Sequence, residues 1–398
     1  MLKGQTIVLG VTGSIAAYKI ANLASMLVKM NADVHVIMTR NACHFITPMT
    51  FETLTDNKCI VDTFDRNFSF DVKHVSLAKK ADLFLIAPCT ANVIGKVANG
   101  ICDDMLTTTI MATKAPVLFA PAMNTGMWEN AILQDNIHKL KHYGYQIIEP
   151  AEGRLACGDT GKGKMPSEEI LLENILLHLA KEKDLKGKHI LVTAGPTQEA
   201  IDPVRYITNH SSGKMGYAIA KMAVLRGADV TLVSGNTAMR CFSNIKRIDV
   251  KSANDMFEAV KEHVSESDIV IMCAAVADYK PFDYSEQKVK KHDDELVIRF
   301  SRTNDILAYL GEHKREGQML VGFSMETENL IENSRAKLEK KNADLICANS
   351  IANDNTGFAV DTNKVTLITR QDVKELPLCT KEETADLILD SIKDMMKH

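Results

Sequence analysis

No stretch of this sequence approaches the ~20 consecutive apolar residues that a helix needs to cross a bilayer, and no membrane association is expected. Charge of one sign is also missing. The 47 basic and 51 acidic residues leave a net −4, which gives no electrostatic footprint for nucleic acid. The amino terminus, MLKGQTIVLGVTG, has neither the apolar core nor the cleavage site of a secretory leader, so none is expected. Walker spacing is absent, which disfavours a P-loop hydrolase. Paired cysteine spacings are lacking too: the nine cysteines are odd in number, scattered, and partly embedded in apolar runs such as IVIMCAAV. That usage predicts reduced thiols in a cytoplasmic protein.

What is present is length and alternation. With 398 residues, 45% hydrophobic and 25% charged, the chain can form two or three globular domains. Short β-branched runs alternate with helix-period segments throughout, the pattern of a parallel sheet covered on both faces. QTIVLGVTG, ADVHVIMT, ADLFLIAP, APVLFAPAM and YQIIEP read as strands of a first half, with helices over Ser14–Met30 and Asn130–Tyr143. An amphipathic helix from Ser167 runs into the charged linker KEKDLKGK. The pattern then restarts: KHILVTAG mirrors QTIVLGVTG, and RGADVTLVSG mirrors MNADVHVIMT. DIVIMCAAV, MLVGFSME, ADLICANS and KVTLITR complete the second half. The expected class is α/β, two doubly wound three-layer domains at 1–183 and 184–398. Ligands in such sheets bind beyond the carboxyl ends of the strands, so the strand-end loops are the functional candidates.

In the first half these loops are GVTGSIAAYKIA, APCTANVIGKVANGICDDMLTTT and APAMNTGMW. Ser14 suits either a phosphate site at a helix start or a plain cap. Thr90, Asn92, Thr107 and Thr108 supply hydroxyls and an amide, and Asn124 and Trp128 follow a strand. The stretch GRLACGDTGKGKM has no second cysteine and no histidine within ten residues of Cys157, and lacks the P-loop interval. A surface loop with a chance cysteine is the plain alternative.

PAMNTGMW, His74 in FDVKHVSLAKKAD, Thr90-Ala91-Asn92 and LACGDTGKGK together resemble the flavin-dependent cysteine decarboxylases, and the cysteine-bearing segment narrows this to the phosphopantothenoylcysteine branch. The resemblance implies a flavodoxin-like domain binding FMN through Gly13, Ser14, Ile15, Thr39, Thr90, Asn92, Thr107 and Thr108. It implies oxidation at the thiol-bearing carbon, loss of CO₂, and reduction of the resulting enethiol. His74 is then the base or orienting group, Asn124 the amide that holds the substrate carboxylate, and Cys157 the proton donor. A thiol with an ordinary pKa of about 8.5 is mostly protonated at neutral pH, and the adjacent glycines suit a flap. Met127 and Trp128 read equally as wall or chemistry.

In the second half, AGPTQEAIDPVRYITNHSSGKMGYAIA offers donors at Ser211, Ser212 and Lys214 before a helix in which small residues allow close packing. Read alone, this is a phosphate-binding loop or a cap with a solvated lysine. DPVRYITNHSSGKMG, AAVADY, KVKK, VGFSMET and NADLICAN resemble phosphopantothenate–cysteine ligase, which in bacteria is fused behind the decarboxylase. The resemblance implies a Rossmann-like ligase domain that joins 4′-phosphopantothenate to cysteine through an acyl-cytidylate made from CTP. Asn209 would hold that intermediate and Lys288 would neutralise the polyphosphate. Met272, Cys273, Ala274, Asp278, Asn304, Asp305, Ile306, Leu307, Phe323, Lys337 and Lys341 match the nucleotide pocket. Thr303-Asn304-Asp305 departs from the usual asparagine-proline-aspartate, a change expected to leave mainly main-chain contacts intact. Mg²⁺ would arrive with the triphosphate; no protein-only metal site is read. A homo-oligomer is also implied, a dodecamer if flavin domains form trimers and ligase domains dimers. Two rivals remain, a flavoprotein electron carrier and a scaffold subunit with idle pockets. The first leaves His74, Asn124 and Cys157 without a shared role, and the second does not require them.

Overall fold

β1 (Thr6–Val11) is buried at every residue, as expected of an interior strand flanked on both sides by parallel neighbours. It belongs to a computed structural model that describes residues 1–64, 73–155, 158–290, 296–326, 328–350 and 361–397. The chain divides into two compact units, Met1–Lys181 and Glu182–His398.

In the first unit β1, β2 (Asp33–Met38), β3 (Leu83–Cys89), β4 (Val117–Pro121) and β5 (Gln146–Ile147) form a parallel sheet in the order β2-β1-β3-β4-β5. This is the flavodoxin-like order, whose direction reverses between β1 and β3. Its helices are α1 (Lys19–Lys29), α2 (Pro48–Thr55), α3 (Lys73–Lys80), α4 (Ala91–Ala98), α5 (Met105–Ala112), α6 (Thr125–Trp128), α7 (Ala131–His142) and α8 (Glu168–Leu179). α1 buries Ile20, Leu23, Ala24 and Leu27, the spacing of one helical face. The helix expected over Ser14–Met30 opens with a 3₁₀ turn at Ile15–Tyr18, with Ser14 as its cap. Outside the sheet, β6 (Ala151–Arg154) and β7 (Thr160–Lys164) make an antiparallel hairpin.

The second unit runs β8 (His189–Ala194), β9 (Gln198–Ala200), β10 (Tyr206–Thr208), α9 (Lys214–Leu225), β11 (Asp229–Ser234), β12 (Lys246–Asp249), α10 (Ala253–His263), β13 (Ile269–Met272), β14 (Tyr279–Pro281), β15 (Phe300–Arg302), α11 (Ile306–Glu312), β16 (Met319–Glu326), α12 (Leu330–Lys340), β17 (Leu345–Ser350), β18 (Thr362–Asn363), β19 (Val365–Ile368), β20 (Val373–Glu375), β21 (Cys379–Thr380) and α13 (Lys381–Met395). The main sheet has the order β12-β11-β8-β13-β16-β17-β19-β20. It is parallel through β17, and the KVTLITR strand β19 then pairs antiparallel, so the sheet is mixed at this edge rather than parallel throughout.

Two local features govern the second unit. Gly216 lets α9 lie against β8, because a Cβ there would come within 2.6 Å of the Ala194 Cβ. Arg226, the C-cap of α9, is buried and bonded to Asp184 at 2.6 Å and to Asp390 of α13 at 2.8 Å. A guanidinium can satisfy several carboxylates at once, so this side chain ties the first residues of the unit to its last helix.

Candidate active sites

The expected first-unit loops converge on the reversal point of the sheet. Two cavities of about 530 and 540 Å³ share Gly13, Thr90, Ala91 and Met127 in their walls. The first also takes in Thr39, Asn92, Arg40 and Lys96; the second takes in Ser14, Ile15, Asn124, Arg154 and Lys164. Gly13 has no room for a side chain, since a Cβ would stand 2.6 Å from the Asn41 Cβ. Both cations of the first cavity are paired, Arg40 with Asp62 at 2.8 Å and Lys96 with Asp103 at 2.7 Å. The second cavity has a more apolar wall that includes Ile15, Phe45, Met123 and Leu155.

Asn124 caps α6, its Oδ1 accepting from the Gly126 N–H at 2.8 Å, while its Nδ2 donates to Asp159 at 2.9 Å. The β6–β7 hairpin is held against the same loop. Met123 N–H donates to the Gly163 carbonyl at 3.0 Å, and a Cβ on Gly163 would lie 2.5 Å from the Met123 oxygen. Arg154 and Leu155, at the hairpin end, line the cavity. Cys157, two residues further along the chain, lies outside the described residues. Of the hairpin lysines, Lys164 lines the cavity, whereas Lys162 pairs with Glu149 at 2.9 Å and lies over the Trp128 ring. Trp128 is core, 6% exposed, and Met127 is wall.

Three first-unit expectations fall elsewhere. Thr107 is buried, and its hydroxyl donates to Asp104 at 2.8 Å in the capping box of α5. Thr108 donates to the Asp104 carbonyl at 2.7 Å, and neither threonine lines either cavity. Sequence offered hydroxyls after a strand, but helix capping uses them. His74 lies in the first turn of α3 and also lines neither cavity.

In the second unit, Met272, Ala274, Asp278, Asn304, Asp305, Ile306, Leu307, Phe323, Lys337 and Lys341 enclose one cavity of about 440 Å³, with Tyr279, Arg302 and Thr303. Cys273 points the other way, into a smaller cavity with Ser211, Ser212, Gly213, Lys214 and Lys381. Burial pushes the Cys273 thiol up to about 12, against the opposing pull of Lys381. It is therefore a neutral wall group at physiological pH. In the larger cavity, burial raises the Asp305 carboxyl, but the ion pair with Lys341, the Ala308 N–H and Lys337 more than offset this, leaving it below its ordinary range. Lys337 donates to the Phe323 carbonyl at 2.8 Å, and burial lowers its pKa.

The segment between the cavities is held from several sides. β13 ends at Met272, earlier than DIVIMCAAV suggests, because the next two N–H groups, of Cys273 and Ala274, both donate to the Thr193 hydroxyl at 3.1 Å. Asn209 donates to the Ala275 carbonyl at 3.1 Å. Thr197 accepts from Ala277 N–H at 3.0 Å, and Thr303 donates to the Ala277 carbonyl at 2.6 Å. Thr303, where relatives were expected to carry proline's neighbour asparagine, thus takes a structural bond of its own. Lys288 is exposed and lines neither cavity; the adjacent Val289 N–H is bound to Asp202 at 3.0 Å. Thr193 and Thr197 were missed from sequence. Only Thr193 carried a signal, the threonine at the end of the first strand in both halves, GVTG and VTAG.

Among the described residues no helix is long and apolar enough to cross a membrane, and eight cysteines are free thiols. Residues 1–179 match the family described as Flavoprotein, and residues 185–396 match the DNA/pantothenate metabolism flavoprotein C-terminal domain. Coenzyme A biosynthesis bifunctional protein CoaBC of Bacillus subtilis is 46% identical over 100% of this chain and 99% of its own. The protein of the same name from Vibrio vulnificus is 45% identical over 100% of this chain and 99% of its own. Among solved structures, a C-terminal domain of a coenzyme A biosynthesis bifunctional protein CoaBC is 46% identical with a TM-score of 0.47, covering 54% of this chain and 99% of that one.

Proposed function

This chain belongs to the family of bifunctional coenzyme A biosynthesis proteins, and from that premise we propose how its two cavities divide the work. It is an enzyme with phosphopantothenoylcysteine decarboxylase and phosphopantothenate–cysteine ligase activities. We assign the decarboxylase to residues 1–183 and the ligase to residues 184–398.

The observation that carries the first assignment is the pair of cavities sharing Gly13 and Thr90 at the reversal point of a flavodoxin-ordered sheet. Together they suit an elongated cofactor, and we infer FMN, contacted by Gly13, Ser14, Ile15, Thr39, Thr90 and Asn92. A bound flavin supplies an electron sink for the carbanion that departing CO₂ would otherwise leave. The chain's own groups handle orientation and protons. Asn124 faces the cavity as a neutral amide whose position is set by Asp159 and Gly126, so it can hold a carboxylate without an opposing charge that would resist its loss. Arg154 and Lys164 at the cavity margin suit the substrate phosphate. Cys157 is the proposed proton donor.

For the ligase, the enclosed set of Asp278, Asn304–Leu307, Phe323, Lys337 and Lys341 supports CTP as ligand of the 440 Å³ cavity. Two lysines in a partly apolar cleft suit a triphosphate, and Mg²⁺ would be bound with it. A free carboxylate lacks a leaving group; cytidylation of 4′-phosphopantothenate supplies one, and the cysteine amine then displaces CMP. Asn209, next to the 274–277 segment, is the proposed group that holds the acyl-cytidylate. His74 and Lys288 stand away from the cavities of their own chain, so their proposed roles depend on a second copy bringing them in.

A homo-oligomer has support in exposed apolar groups on each unit, Ile15, Tyr18, Phe45 and Met49 on one and Phe282, Tyr284 and Phe300 on the other. A cytoplasmic location agrees with the free thiols. The test is an assay of purified protein with 4′-phosphopantothenate, cysteine, CTP and Mg²⁺, following pyrophosphate, CO₂ and 4′-phosphopantetheine. A yellow protein releasing neither CO₂ nor pyrophosphate would sink the assignment. A Cys157→Ser variant is expected to accumulate the decarboxylated, oxidised enethiol, whereas the full rate of product formation would remove Cys157 as donor.

A further inference from the structure

We propose that Thr193 is a positioning residue for nucleotide binding: its hydroxyl fixes the backbone of Met272–Ala274, through which Met272 and Ala274 line the CTP cavity. This rests on the assignment of that cavity to CTP.

Thr193 is fully buried near the end of β8. Its Oγ accepts from both the Cys273 and Ala274 N–H groups at 3.1 Å and donates toward the Met272 sulfur at 3.9 Å. Every hydrogen-bonding contact of the hydroxyl is thus to three consecutive residues across the sheet. Valine has the same shape and is at least as favourable in a buried strand, and a buried hydroxyl is costly unless bonded. The hydroxyl must therefore be justified by what it binds. With it, two successive N–H groups turn toward β8, and the β13 ladder stops at Met272.

The first unit contains the same device on a different sequence. Thr12, also fully buried and just past β1, donates to the Pro88 carbonyl at 2.6 Å and accepts from the Thr90 N–H at 3.1 Å. There too a threonine at the end of the first strand holds the end of the strand across the reversal point, next to a cavity that Thr90 lines. Its recurrence at two ligand-facing strand ends argues that the bond serves the loop, since packing alone would be met by valine.

The experiment compares full-length wild type with Thr193→Val, Thr193→Ser and Ile190→Val, measuring steady-state ligase kinetics against CTP, CTP binding by calorimetry, and thermal unfolding. Thr193→Val is expected to raise KM and Kd for CTP about tenfold, equivalent to about 1.4 kcal/mol, with kcat changed by less than about twofold. Thr193→Ser keeps the oxygen and is expected to restore KM. Ile190→Val, buried on the same strand without a side-chain hydrogen bond, is expected to lower Tm without moving KM. An unchanged KM in Thr193→Val, failure of serine to restore it, or an equal KM rise in Ile190→Val would overturn the inference. Absence of saturable CTP binding in the wild type would instead overturn the assignment of the cavity, and the positioning role with it.

Discussion

Asn124 and Asp159 are joined side chain to side chain, the amide nitrogen of the first 2.9 Å from a carboxylate oxygen of the second. The bond joins the loop after β4 to the segment that leads into β7, beside the Met123–Gly163 bond, so the proposed carboxylate holder is positioned in part by the hairpin. Asp159→Ala is expected to lower decarboxylase kcat/KM about tenfold, ~1.4 kcal/mol of transition-state stabilisation, while flavin absorbance per protein stays unchanged. Loss of flavin along with activity would show that the pair serves cofactor retention instead.

Gly163 provides a backbone test of the same arrangement. Its φ is +137°, a region other residues rarely adopt, and an added Cβ would meet the Met123 oxygen at 2.5 Å. Gly163→Ala should cost about 1–3 kcal/mol of local conformational free energy. Faster proteolysis within 151–165 and reduced CO₂ release are the expected readouts; wild-type values for both would mean the hairpin need not dock this way.

Lys337 leads to a pH dependence. Burial lowers its pKa, with Glu326 and Asp278 pulling it back up and Lys341 adding to the lowering. It therefore sheds its proton at a lower pH than an ordinary lysine, and the cation that faces a triphosphate is lost as pH rises. CTP affinity should fall on the alkaline side, with proton uptake on binding in that range. Lys337→Arg, which stays charged, should flatten the alkaline limb in a calorimetric pH series. A wild-type profile already flat above neutrality would count against this lysine as a phosphate contact.

Arg226 makes the stability of the second unit sensitive to one side chain. Hydrogen bonds from Arg226 and Lys393 hold the Asp184 carboxyl well below the usual carboxylate range. A depressed folded-state pKa means that the stabilisation is present above the unfolded value near 3.9 and is lost as pH falls toward the folded one. Arg226→Met leaves a partly buried carboxylate without its main partner, so a loss of about 3–5 kcal/mol is expected in denaturant unfolding. The variant's acid limb should also flatten. Equal unfolding free energies for variant and wild type would remove the cluster as the tie between the unit's ends.

Much of this was legible in the chain itself. Apolar runs flanked by helix-period segments locate β1, β3, β8 and β16, because strands buried on both faces must be apolar throughout. Strand-end loops locate the cavities for the same topological reason, and ten of the expected nucleotide residues share one cavity. Thr107 caps α5 through Asp104, a contact that sequence could not separate from a ligand role because a hydroxyl three residues after an aspartate reads equally as either. Lys288 stands exposed and outside both cavities of its own chain, a placement that a lysine run, giving charge without direction, does not reveal.

Sequence alone determined the two α/β units, the order of their strands along the chain, and the loops that carry chemistry, since these follow from hydrophobic period and local turn residues. Tertiary structure decided which way each loop residue faces. Met272 and Cys273 enter different cavities, as successive residues of an extended chain do, but the backbone there is held by a hydroxyl on Thr193, some eighty positions earlier. A contact of that range has no periodicity to betray it; it exists only once the strands are side by side.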